Sequence, residues 1–132
     1  MKRTAAILML ANAALFLFGA LQHAGVAIGP FREPRIIPAS IVETLCATGL
    51  IWGAAAILSG SLKARRSALI GNVIAIAGVA IGIVALAAGA GPRTASNDLY
   101  HEIMLALAAA SLLILLIPAG RMALTRRENF KA

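Results

Sequence analysis

Charge is scarce in this chain. Only 13% of its 132 residues are Asp, Glu, Lys or Arg, while 61% are hydrophobic, and the mean hydropathy is +0.90. A soluble domain of this size has too little interior to hide so much apolar surface. Acidic residues are the scarcest charges, five against twelve basic ones. The single cysteine, Cys46, excludes an intrachain disulfide and leaves the redox compartment unread. Within its apolar run it reads as a small buried thiol.

Chemical motifs are missing as well. There is no phosphate-binding glycine loop, no nucleophile elbow and no defensible Ser/His/Asp set. No Glu-x-x-His, His-x3-His or Cys-x-x-Cys spacing fixes metal ligands. The sequence therefore names no catalytic residue and no cofactor, and points away from an enzyme. The net charge of +7 does not indicate nucleic acid, because the basic residues lie between apolar runs and at the chain ends, without interleaved aromatics.

What the chain does have is long apolar runs. A membrane-crossing helix needs roughly 20 such residues, and four stretches qualify: about 4–28, 38–60, 67–89 and 98–118. The expected fold is an all-α, integral membrane four-helix bundle forming one membrane domain over residues 1–132. The punctuation agrees. Prolines at 30, 34 and 38 resist helix, and Pro38 suits a first turn. Asn97 or Asp98 is expected to cap the fourth helix, which Pro118 and Gly120 close. The first run is longer than a secretion-signal core and lacks a small-x-small cleavage site, so it is expected to be retained.

Basic residues set a direction. Lys2, Arg3, Lys63, Arg65, Arg66, Arg121, Arg126, Arg127 and Lys131 fall on one side, nine in all; Arg32, Arg35 and Arg93 fall on the other. The positive-inside rule then makes both termini cytoplasmic and turns the loops at 29–37 and 90–97 outward.

Helix association in lipid relies on close packing and polar contacts. Gly71, Ala75, Gly78, Gly82, Ala85 and Gly89 form one stripe on helix three, spaced 4, 3, 4, 3 and 4. Gly49, Gly53, Ala56 and Gly60 form a shorter one on helix two. Both read as packing surfaces. Asn12, Phe16, Gly19 and His23 share an inward face of helix one, while Gln22 falls on another face, toward the interface. Asn72 lies at about the depth of Asn12, and the two amides read as packing glue, with a hydrogen bond between them across the helices left open.

Glu43 stands out, set a turn or so inside an apolar run. Trp52, half a turn around the same helix, should face lipid, so Glu43 should face the bundle, where a carboxylate must be paired, protonated or wetted. The topology brings His23, His101, Glu102 and Asp98 to the same end. Glu102 shares a side of helix four with Ala106, Ala109 and Ala110 and is expected to point at a close neighbour. A neutral His101 imidazole there can accept a proton or bind a metal. Three readings stay open: headgroup-level residues pairing with one another or with Arg32, Arg35 and Arg93; a polar pocket of Glu43, His23, His101 and Glu102 for a quinone headgroup, small thiol or similar ligand; and a site for a divalent metal or haem.

The stretch "LFGALQHAGVAIGP" followed by "IPASIVETLCATGLIWGAAAIL" and a basic turn resembles the DoxX-like family of small bacterial four-helix membrane proteins. Gly19, Gln22 and His23, then Pro38, Glu43, Gly49 and Gly53, carry the resemblance, which covers roughly residues 15–75. The glycines after Glu43 are shifted from the family spacing, and helix four carries no family signature. The resemblance implies a bacterial inner-membrane protein that partners redox or thiol-linked systems; some members are described as subunits of a thiosulfate:quinone oxidoreductase. The expectation is an accessory membrane protein whose partners are the bilayer and possible further copies or subunits. The competing expectation is a small-molecule or proton-coupled transporter of the four-helix type.

Overall fold

The computed structural model describes residues 2–29, 34–91 and 94–117. Pro30, Arg32, Arg93, Pro118, Gly120, the four C-terminal basic residues and the side chain of Lys2, all invoked above, lie outside the described residues. Four helices account for nearly everything else: α1 (Lys2–His23), α2 (Ile37–Leu58), α3 (Ala64–Ala87) and α4 (Ala95–Leu116). Each has 22 to 24 residues, so each is about 33–36 Å long. All four are long and apolar enough to cross a membrane.

Glycines end three of the helices. Gly25 (φ +95°) stops α1, where Val26 N–H returns to Leu21 O and Gly25 N–H to Gln22 O. This is the paired closure that a left-handed residue permits. Gly60 and Gly89 do the same after α2 and α3. Helix one therefore ends at His23 and not near residue 28, because Gly25 interrupts the apolar run before the run itself ends. At the start of α4 the cap is Thr94, whose Oγ1 accepts from Asn97 N–H at 3.1 Å. The expected caps, Asn97 and Asp98, lie inside the helix, which begins three residues earlier than the apolar pattern alone suggests.

The helices run alternately up and down around a ring. Each packs on its sequence neighbour, and α4 closes against α1; α1 and α3 stand on a diagonal. Met9, Phe16, Leu50, Val79 and Met104 fill the centre. Ile7, Leu45, Trp52, Val73, Val84 and Leu113 are exposed on the outside, the arrangement expected when the solvent is acyl chain.

The small-residue stripes are contact surfaces. The Gly71 Cα lies against Gly49, so closely that a β-carbon on Gly71 would strike the Gly49 carbonyl. A β-carbon on Gly53 would sit 2.9 Å from Ala68 Cα. Further along, Gly78 receives the Cys46 thiol, and Gly82 receives the edge of His101. Cys46 is buried, as expected, with Sγ directed at Ile74 O.

The structure decides one open polar pairing and corrects one polar expectation. Asn12 and Asn72 are both buried but do not pair. Asn12 Nδ2 donates to Met104 O of α4 at 3.1 Å. Asn72 Nδ2 donates to Ala68 O, and its Oδ1 accepts from the Ser111 hydroxyl of α4. The diagonal explains this, since α1 and α3 do not adjoin, and both amides reach α4, one of the two helices between them. Gln22 is also buried, not interfacial. It shares a flank with Leu15, and α1 is covered on two sides, so its inward arc is wider than one stripe.

Candidate functional site

The end of the bundle where α1 stops and α2 starts carries the polar cluster. Ile36 N–H bonds back to His23 O at 2.9 Å, clamping together the two ends of the 24–36 connection. Ser40 Oγ donates to Ala20 O at 2.8 Å a turn further on. These two bonds fix the register of α1 against α2. They bring His23 Nδ1 to 2.9 Å from Glu43 Oε2.

The other carboxylate oxygen is held from α4. Tyr100 Oη lies 3.2 Å from Glu43 Oε1 and 3.0 Å from Leu15 O. A phenol has a single proton, so it donates to one of these acceptors at a time. Glu43 is only 7% exposed, which makes both partners matter: a buried carboxylate left unpaired is strongly destabilising. Gly19 is what allows the meeting. A β-carbon there would fall 2.6 Å from Glu43 Oε1 and collide with the Tyr100 hydroxyl.

Beside this triad is a cavity of about 280 Å³, lined mainly by apolar groups from α2, α3 and α4. Val42, Val79, Ala85 and Met104 form its walls, and His23, Glu43, Tyr100 and His101 bring its polar atoms. His101 Nδ1 is 2.8 Å from Asn97 O one turn back on α4, and its ring meets Tyr100 edge to face, with centroids 5.5 Å apart. Its Nε2 edge lies over Gly82.

The structure therefore brings Glu43, His23 and His101 to one cavity. Glu102 does not join them. It is exposed and absent from the lining, against the expectation that it points at a close neighbour. The inward face of α4 runs through Tyr100, Met104, Ala108, Ser111 and Leu115, and Glu102 is about 200° around the helix from Tyr100. Among the described residues, no three His, Cys, Asp or Glu side chains cluster in a way that could hold a metal ion.

Tyr100 is the member that sequence reasoning left without a role. Its signal was present: residues 100, 104, 108, 111 and 115 recur at spacings of 4, 4, 3 and 4. Tyr at the head of that stripe is the only hydroxyl-bearing ring in the chain.

The geometry defines a four-helix bundle, of membrane-crossing helix length, with an acid–imidazole–phenol triad beside an apolar cavity. No protein-family model, curated protein or solved structure matches the chain.

Proposed function

We propose that this is a multi-pass protein of the bacterial inner membrane, with both termini and the turn between α2 and α3 on the cytoplasmic side. Its cavity, beneath the outer loops, receives a small ligand such as a quinone headgroup or a thiol. In that role it serves as an accessory or partner subunit of a redox, thiol- or quinone-linked membrane system. The supporting observation is Glu43: buried, with one oxygen against His23 of α1 and the other facing the Tyr100 hydroxyl of α4. Such a residue is costly to keep in a membrane helix and marks a site by default. The apolar walls suit the body of a small organic ligand, and the few polar atoms suit its head.

Mild-detergent purification followed by mass spectrometry of bound lipid, quinone, metal and protein tests this reading. A bound small molecule or partner lost on Glu43→Gln supports it. Protein that carries neither, with a Glu43→Gln variant indistinguishable in every cellular phenotype, sinks it. Orientation is read separately, by labelling Ser61→Cys with a membrane-impermeant maleimide in intact cells; modification from outside would invert the topology.

Proton-coupled transport is the second reading, favoured by the same buried acid–imidazole pair. Glu43 is only about 9 Å into α2, short of the midplane, which favours the first reading. Uptake driven by a proton gradient in proteoliposomes would reverse that order.

A further inference from the structure

The cavity holds information about its ligand that rests on the pocket reading above and goes beyond it. Glu43 Oε2 faces His23, and Oε1 faces the Tyr100 hydroxyl, which shares its one proton between Glu43 and Leu15 O. His101 is different. Its Nδ1 faces Asn97 O at 2.8 Å, and a carbonyl oxygen only accepts, so Nδ1 is the nitrogen that carries hydrogen. In the neutral ring Nε2 is then a bare lone pair. It lies over Gly82 on the cavity wall, and no described residue donates to it. The absence of a side chain at Gly82 keeps that position open to the ring.

The mouth of the cavity is apolar. Of the residues lining it, Pro38, Ile81 and Ala90 are those that also reach the outer surface. Ile81 is 58% exposed. It lies six residues before the end of α3, or about 9 Å below the helix end. A route past Ile81 leaves the bundle sideways, at acyl-chain depth. No described charged side chain guards it.

We infer that the cavity binds a membrane-dissolved amphiphile bearing an O–H donor, received sideways between α2 and α3, with the hydroxyl hydrogen-bonded to His101 Nε2. An apolar body satisfies the walls, and a donor satisfies the ring nitrogen to which no described residue donates. A ligand whose head only accepts, an oxidised quinone included, would face that lone pair with another and would be disfavoured against its hydroxyl-bearing reduced form.

The test uses the full chain in lipid nanodiscs and two matched probes, para-hexylphenol and its methyl ether para-hexylanisole, which differ at the O–H alone. Saturable binding is measured above protein-free nanodiscs. The phenol is expected to bind about tenfold more tightly than the ether, the worth of one buried hydrogen bond. His101→Phe keeps a ring of similar shape without the acceptor; it should bring the phenol down to the level of the ether and leave the ether unchanged. Ile81→Trp, which narrows the mouth, should weaken both probes. Equal affinity of the two probes for the wild-type chain overturns the donor assignment, and needs no variant to fold. A phenol preference that survives His101→Phe overturns the role of Nε2. Unaltered binding in Ile81→Trp overturns the sideways route. In these three cases the pocket itself stands, whereas saturable binding of neither probe removes both the inference and the pocket reading beneath it.

Discussion

Glu43 and Tyr100 meet directly above Gly19, and the hydrogen at the α-carbon of Gly19 is what leaves them room. Three helices are tied together at that point: α1 gives the space, α2 the acid and α4 the phenol. A Gly→Ala change inside an ordinary helix stabilises by up to about 1 kcal/mol through backbone preference. Gly19→Ala should do the reverse and destabilise by about 1–3 kcal/mol, because the added methyl displaces two engaged polar groups. Thermal unfolding in detergent reads the sign directly, and a melting temperature at or above that of the wild type would contradict the geometry.

The pair of His23 and Glu43 should behave as a unit. Removing one partner leaves the other buried without its match. His23→Leu and Glu43→Leu should each destabilise, and the double variant should cost less than the two singles together. The expected coupling is about 0.5–3 kcal/mol. A double-mutant cycle on unfolding free energies measures it; additive effects would mean that the 2.9 Å contact contributes nothing.

Two glycines that face each other should respond oppositely. A β-carbon on Gly49 would find its nearest neighbour, Ile74 Cδ1, at 3.4 Å, which is an ordinary contact with the tip of a flexible side chain. A β-carbon on Gly71 would collide with the carbonyl of Gly49, and backbone cannot step aside. Gly49→Ala should therefore be neutral or mildly stabilising, within about 1 kcal/mol. Gly71→Ala should lose about 1–3 kcal/mol by forcing α2 and α3 apart. Equal effects in a comparison of unfolding midpoints would sink the claim that this contact is asymmetric.

The buried amides also differ. Asn12 makes one bond, to a carbonyl already inside a helix, and its Oδ1 has no partner among the described residues. Asn72 is bonded at both ends. Asn12→Leu should cost little, since it removes an unpaired acceptor along with a single bond. Asn72→Leu leaves the Ser111 hydroxyl without its interhelical acceptor and should cost about 0.6–1.7 kcal/mol. The ranking of the two unfolding midpoints decides the point.

Much of this was legible from residue order. The length of the apolar runs gave four helices, because a helix in lipid must satisfy its backbone internally along its whole span. The inward placement of Glu43 followed from its phase against Trp52, which is indeed exposed. The stripe of Asn12, Phe16, Gly19 and His23 also lies inward. Phase on one helix is local information, and the sequence carries it well. Partnership is different. Whether Asn12 meets Asn72 depends on which helices are adjacent around the ring, and apolar periodicity does not encode that order. Glu102 failed for a subtler reason. Helix four offers two candidate packing faces on nearly opposite sides, and Ala106, Ala109 and Ala110 beneath Glu102 looked as packable as the true face. Tyr100 marked that face, but its hydroxyl needed Gly19 and Glu43 in view before its place had meaning.

The Gly49–Gly71 contact has a mechanical consequence. It joins α2 and α3 backbone to backbone at one level, while the cavity separates the same two helices further along. The pair resembles tweezers gripped at the glycines. From Gly71 to Leu86 the free arm of α3 is about 22 Å long, so a tilt of about 5° at the pivot would move its tip by about 2 Å. A motion that small could widen or close the mouth at Ile81 while the pivot stays intact. The backbone contact and the cavity would then be two ends of one lever.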